Sequence, residues 1–405
     1  MLAAAITTIA ISAIKAKRRL TSILLIFPCL WTTRQPLGIV GYLRAPGRNL
    51  GQKPQGRVDN LGSIHSQHGA CIVLAKPFIG YKIGEDERTW EHIQRVEDLI
   101  NPSFLITDKE ARFLYTVHGD ESDVSAFAID HETGKLTKLG TASTKGKNPV
   151  HLVIDEKSNV MLIANYATGT IVSLPISQHG KLGETAEPLA LPGEPGPHKI
   201  KQKASHPHQI VADPSGRFYL VPDKGLDRIF TLAVDDKGAV KIVSSVAARQ
   251  GAGPRHAVFD PSGKFVHVVN ELDSTVTAYA FDATSGALSP IEIVSAIPSD
   301  FTGDNRSAAI VSSLDSSALF VTNRGHNSIA AFTIDQRTAK LSDASWHDTV
   351  GQGPRFAVVS PSGKTLFAAN ELTDTIVSFA IDAKDGLGTV ANVVETGSPV
   401  SIVFI

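Results

Sequence analysis

The chain has 405 residues, of which 42% are hydrophobic and 20% charged, with a formal net charge of −1. Such a composition folds into globular domains and excludes whole-chain disorder and a polytopic membrane protein. The balanced charge provides no general basic field for nucleic acid, and the two cysteines, Cys29 and Cys71, can form neither a disulfide scaffold nor a cysteine zinc site.

The balance conceals an uneven distribution. Residues 1–58 carry nine Lys or Arg and no acid, so the remainder of the chain is negative by ten; the first acid is Asp59. An apolar stretch at 2–14 precedes the cluster Lys15, Lys17, Arg18 and Arg19, and a second apolar run occupies 20–31. A secretory signal places its charge before the apolar run. Neither run reaches the roughly 18–20 residues of a membrane span. Residues 1–65 are therefore expected to be a basic extension, poorly ordered or serving as an organelle-targeting leader. One folded unit is expected over 66–405, located in the cytoplasm unless such a leader operates.

Beyond residue 100 one phrase recurs: a Pro, a short apolar run, a turn, a second apolar run ending in Asn or Asp, then an alternating strand. Its clearest copies begin at Gly253-Pro254-Arg255-His256 and Gly353-Pro354-Arg355-Phe356, and both continue to a Pro-Ser-Gly-Lys turn at 261–264 and 361–364. Weaker copies begin at Pro102, Pro149, Pro207 and near Arg306, and a seventh begins at Pro399. Each unit reads as four strands. In the fourth these are 256–259, 265–269, 275–281 and about 287–294. The segment 91–99 is the nearest approach to a helical pattern and reads better as an outer strand. Short strands at this period specify an all-β, seven-bladed β-propeller of four-stranded antiparallel blades. The last unit has only its innermost strand. Segments 71–75, 79–83 and about 92–98 could supply the other three, so that both ends of the chain share the closing blade and no sheet edge is left open.

In such a blade the first strand runs along the channel and the second returns, so the start of one and the end of the other share a face. A plain hairpin register places Arg255 opposite Glu271, His208 opposite Asp223, Arg324 opposite Ser307, and Arg355 opposite Asn370 and Glu371. It also places Ser103 near His118 and His151 near Tyr166. One channel mouth is thereby expected to carry His151, His208, Arg255, Glu271, Arg324, Arg355 and Glu371. Arginines in a concave site bind carboxylate or phosphate and stabilise a developing oxyanion. A histidine moves a proton near neutral pH. Adjacent arginine charges oppose a bound cation, so neither a metal nor a cofactor is expected. Asn165, Asn270, Asn323 and Asn370 all end second strands, where Asn caps a turn and can also touch ligand. His206, His256 and His326 read as spacers. The Pro- and Gly-rich loop 183–203 is expected to overhang the mouth as a lip.

These phrases resemble the seven-bladed propeller lactonase family, which includes bacterial-type 6-phosphogluconolactonases and fungal carboxy-cis,cis-muconate lactonizing enzymes. The resemblance rests on Gly253-Pro254-Arg255-His256, Val269-Asn270-Glu271-Leu272, Ala204-Ser205-His206-Pro207-His208, Val221-Pro222-Asp223-Lys224-Gly225-Leu226-Asp227-Arg228 and Thr322-Asn323-Arg324-Gly325. Asn148-Pro149-Val150-His151 and Ala164-Asn165-Tyr166 match as well, over about residues 80–405. The family's opening Gly-Thr-Tyr-Thr strand has no counterpart at 69–81, and Asn370-Glu371 stands where Asn-Gln is more usual. The resemblance implies metal-independent catalysis on a cyclic ester by His208, Arg255, Glu271 and Arg324. Substrate contacts would come from His151, Asn165, Asp223, Asn270, Asn323, Arg355 and Glu371. The expected partner is a small anionic lactone, with 6-phosphogluconolactone leading, and no nucleic acid or stable membrane span. A carboxymuconate-type cycloisomerase and a non-catalytic binding platform are the other readings. WD40-type Trp-Asp endings, which would mark a platform, do not recur.

Overall fold

The computed structural model describes residues 70–74, 78–382, 386–399 and 401–405; the expectations for residues 1–65 lie outside this set. Among the described residues the strands form seven antiparallel four-stranded sheets. Blades 1 to 6 span 102–143, 149–190, 211–247, 254–295, 306–348 and 354–395. Blade 7 joins Ile402–Phe404 to Ala70–Leu74, Phe78–Ile83 and Trp90–Val96, in that order. The segment near residue 91 is thus an outer strand, as its pattern predicts.

Local chemistry sets each hairpin. At the first turn of blade 4, the Asp260 carboxylate accepts hydrogen bonds from the backbone N–H groups of Ser262 and Phe265, and Gly263 takes a positive φ of 68°. Asp108 and Asp213 do the same in blades 1 and 3 by accepting from Phe113 and Phe218. A short polar side chain closes the turn and the apolar runs on either side pair. Inner strands lie between neighbouring blades and are buried along their length, as in Pro102–Thr107 and Thr365–Asn370. Outer strands alternate instead, as Val240–Ala247 does, because one face meets water.

The ring closes where the termini meet. Cys71, Ile72 and Val73 pair with Phe404, Val403 and Ile402. Ile402 and Val403 are buried in a cluster that also holds Phe104, Leu152 and Phe356, from three other blades. Among the described residues no helix is long and apolar enough to cross a membrane.

A recurrent irregularity positions the site. At the start of the inner strand in blades 1, 2, 4 and 6 the ladder gains one residue, namely Ser103, Val150, Arg255 and Arg355. Such a bulge re-aims the extra side chain and strengthens the local twist. A plain hairpin register therefore misplaces the pairs at the channel mouth, by one residue in blades 1, 3 and 5 and by two at His151. Ala164, not Tyr166, faces His151; Pro207, not His208, faces Asp223; and Arg306, not Ser307, faces Arg324. Pro102, not Ser103, faces His118.

Replacing Ile402 by Ala should cost about 2–4 kcal/mol, because it opens a cavity at the seam. Val390→Ala, at a half-exposed outer strand, should cost less than about 0.5 kcal/mol. Urea unfolding of both variants checks the contrast; equal losses would mean that the terminal strand is not part of the cooperative unit.

Candidate active site

The mouth residues come from two places in the repeat: the start of the first strand, bulged in blades 1, 2, 4 and 6, and the end of the second strand with the turn after it. Arg255 opens blade 4 and Glu271 follows its second strand, where the Glu271 N–H donates to the Gly253 carbonyl. The bulge brings the Arg255 guanidinium across the ladder, and its Nε donates to Glu271 Oε2 at 3.0 Å. Arg324 of blade 5 places Nη2 3.2 Å from the same oxygen. Lys224, in the turn that ends the second strand of blade 3, places Nζ 3.2 Å from Glu271 Oε1. Three blades thus supply three cations to one carboxylate. The side chains of Lys224, Arg255 and Glu271 are 3–6% exposed, and that of Arg324 is 12% exposed.

Burial and charge compete at Glu271. Desolvation opposes ionisation, but Lys224, Arg324 and Arg255 together hold its carboxyl well below the usual carboxylate range. Burial and the neighbouring Arg324 both lower the pKa of Arg255, a sign of crowded like charge. Burial also lowers Lys224, and Glu271 only partly offsets it.

His208 lies beside this cluster. Its backbone N–H donates to Pro222 O, and its ring meets those of Tyr166 and His256 at centroid distances of 5.5 and 5.2 Å. Burial first, then the charge of Arg255, pushes His208 well below the ordinary histidine value, so it is neutral at pH 7. Among the described residues, His208 Nδ1 and Arg324 Nε have no hydrogen-bond partner. Arg355 and Glu371 form a second, looser pair at 3.5 Å and close the mouth on the blade 6 side.

Other expected contacts take different positions. His151 is buried with its ring tilted against that of Phe104 and edge-on to that of His256. His256 is no spacer: its Nε2 accepts from Arg255 Nη1 at 3.3 Å, so it joins the cluster to His151. Asp223 is engaged by the backbone. Its Oδ1 accepts the N–H groups of His206, Gly225 and Leu226, and its Oδ2 accepts from Ser205. The side-chain amides of Asn165, Asn323 and Asn370 donate to Thr144 O, Ala296 O and Thr349 O, the ends of the preceding blades. Asn270 donates to Thr275 and Thr277. These Asn amides hold turns and blade joints. The loop 183–203 contributes the short strand Leu189–Ala190 to blade 2 and is then pinned to the Lys224 turn, with Gln202 Nε2 donating to Lys224 O and Asp227 Oδ1.

Lys224 and Tyr166 are the additions. Lys224 Nζ sits 4.9 Å from the centre of the Tyr166 ring, which stacks on His206. A signal for both exists in the repeat. The residue just after the polar end of each second strand is Tyr166, Lys224, Glu271, Arg324 or Glu371 in blades 2 to 6.

Comparison with known proteins agrees with this architecture. Residues 75–404 match the family model described as lactonase, seven-bladed beta-propeller. The chain belongs to the seven-bladed β-propeller lactonase family. A relative named 6-phosphogluconolactonase from Bacillus subtilis is 31% identical over 328 residues, covering 80% of this chain and 93% of that protein. A protein of the same name from Formosa agariphila is 29% identical, covering 73% of this chain and 85% of its own length. A crystal structure of a Bacteroides fragilis protein superposes with a TM-score of 0.78 at 28% identity, covering 85% of this chain and 99% of that one. A Pseudomonas aeruginosa periplasmic gluconolactonase shares the fold, with a TM-score of 0.77 at 24% identity, covering 83% and 99%. Among the described residues no group of three or more His, Cys, Asp or Glu is arranged to hold a metal ion.

The buried imidazoles make stability depend on pH. His151, His208 and His256 all have folded pKa values well below 6.5, with burial the leading cause and Arg255 the next. Below about pH 6.5 the unfolded chain binds protons that the folded chain refuses, so stability is complete above that value and falls as pH drops. Each group should contribute up to about 1.4 kcal/mol per pH unit. Urea unfolding between pH 7.5 and 5.5 should show this decline, and His151→Phe should flatten it by about one proton. A flat profile would contradict the neutral cluster.

Proposed function

We propose that this chain hydrolyses a small anionic lactone at the channel mouth, with 6-phosphogluconolactone as the leading substrate. One observation carries the reading: a single buried carboxylate, Glu271, is shared by Lys224, Arg255 and Arg324. The cluster therefore holds more positive than negative charge in a place with little water. An anion bound there replaces lost solvation, and the arginine forks suit phosphate or carboxylate. The relatives named 6-phosphogluconolactonase support the same substrate class.

The chemistry needs a proton acceptor and oxyanion donors. Water attacks the lactone carbonyl carbon as its proton passes to a neighbouring base. His208 Nδ1 or Glu271 could take it, and the two differ in availability. His208 is neutral with Nδ1 unpartnered, whereas both Glu271 oxygens are engaged by cations. The negative charge then gathers on the carbonyl oxygen, where Arg255 and Arg324 are donors. Collapse breaks the ring C–O bond, the ring oxygen takes a proton, and the product leaves as a hydroxy carboxylate. Arg355 and Glu371 line the entrance. His256 accepts from Arg255 and packs against His151, and Asn165, Asp223, Asn270 and Asn323 hold the turns that present the site.

A proton-release assay on freshly prepared 6-phosphogluconolactone, corrected for spontaneous opening, tests the reading. The wild-type protein should exceed the spontaneous rate by orders of magnitude. Arg255→Met should lower kcat by about 100-fold or more with an unchanged circular dichroism spectrum. A wild-type rate equal to the spontaneous one, or full activity in the variant, would remove the proposal.

A further inference from the structure

The turn that carries Lys224 is held by hydrogen bonds on both sides. The Lys224 N–H donates to His206 O, and its carbonyl accepts from Gln202. Asp223 and Asp227 fasten the turn on either side; Asp227 also accepts the N–H groups of Gly251 and Gly253. Gly225 is required there, since a Cβ would lie 1.7 Å from Ala204 O. The Lys224 stem lies against Gly253, where a Cβ would approach its Cγ to 3.1 Å. The ammonium ends between the Tyr166 ring and Glu271 Oε1.

Burying an ammonium group carries a large desolvation cost before its partner offsets any of it. A gain in stability is a poor explanation for so costly a placement, and the division of the Glu271 oxygens offers a better one. Oε2 is taken by Arg255 and Arg324, and Oε1 is taken by Lys224. Without Lys224 the carboxylate would keep an open oxygen at the mouth and compete with His208 for a proton.

We propose that Lys224 is a positioning residue that assigns the base: by occupying Glu271 Oε1 it withholds that carboxylate from proton transfer and leaves His208 Nδ1 as the acceptor. The assignment of the base rests on the lactone reading; the control of charge at His208 does not. The His208 ring meets those of Tyr166 and His256, and the charges that act on it are those of Arg255, Lys224, Glu271 and Arg355. Arg255 and Lys224 both act on His208 through their own charge and through their hold on Glu271; Lys224 is the one that occupies Oε1, the oxygen the two arginines leave open.

Two measurements test this on the full-length protein. The first follows the His208 ring nitrogens by ¹⁵N NMR from pH 8 to 5.5 in wild type, Lys224→Met and Lys224→Arg, with His208→Gln for assignment. His208 should stay neutral across the range in wild type and in Lys224→Arg. In Lys224→Met its protonation midpoint should rise into the range, a shift on the order of one unit or more. Lys224→Gln serves if Lys224→Met does not fold. The second is the pH profile of kcat/KM on 6-phosphogluconolactone, whose acid limb should move upward in Lys224→Met by the same amount. A structural role alone would lower the plateau or the melting temperature and leave the limb in place. Identical His208 titrations in wild type and Lys224→Met would overturn the proposal. If the wild-type protein shows no turnover, the lactone reading fails and the NMR titration still decides whether Lys224 governs His208.

Discussion

Glu271 is the hub on which the channel mouth depends. Its carboxylate holds Arg255 from its own blade, Arg324 from the next and Lys224 from the one before. Each of these charges has lost most of its water, and a buried ion pair often stabilises a fold less than apolar residues of the same volume would. The arrangement survives because three blades hold it from outside. Packed inner strands and the shared closing blade fix how far blades 3, 4 and 5 can separate, so the like charges of Lys224, Arg255 and Arg324 cannot relax apart. The ring stores a concentration of positive charge that a flexible loop could not keep.

Much of the architecture was legible in the sequence because its signals are local and repeated. Pro-Ser-Gly-Lys turns, alternating strands and a near-constant period specify blades without knowledge of their packing. The unpaired last unit pointed to a closing blade, and Ile402–Phe404 does pair with Ala70–Leu74. The side-chain geometry at the mouth was less legible. A bulge adds one residue at Ser103, Val150, Arg255 and Arg355, and nothing in a hairpin's residue count announces it. Arg255 and Glu271 still meet, because a long guanidinium spans the misregister. His151 and Tyr166, with less reach, do not face each other.

Lys224 shows another limit of reading residues singly. In the sequence it follows Asp223, which the hairpin register sets opposite His208 and the family resemblance makes a substrate contact. The fold reverses the two roles: Asp223 is surrounded by the N–H groups of its own turn, and Lys224 reaches the channel. His256 was legible only as a neighbour of Arg255, yet its Nε2 accepts from the Arg255 guanidinium.

These cases share one rule. At the end of every second strand in blades 1 to 6 a polar residue holds the turn: His118, Asn165, Asp223, Asn270, Asn323 or Asn370. The next residue is free of that duty and is Gly119, Tyr166, Lys224, Glu271, Arg324 or Glu371. The first position must satisfy backbone groups in each blade, so its chemistry barely varies. The second faces the mouth, and its chemistry differs from blade to blade. A propeller whose strands are nearly interchangeable can therefore build an asymmetric site, since one constrained residue per blade fixes the turn and leaves its neighbour to carry charge. That separation lets substitutions at Tyr166, Lys224 or Glu371 alter the charge and shape of the mouth without disturbing the turns that hold the ring together.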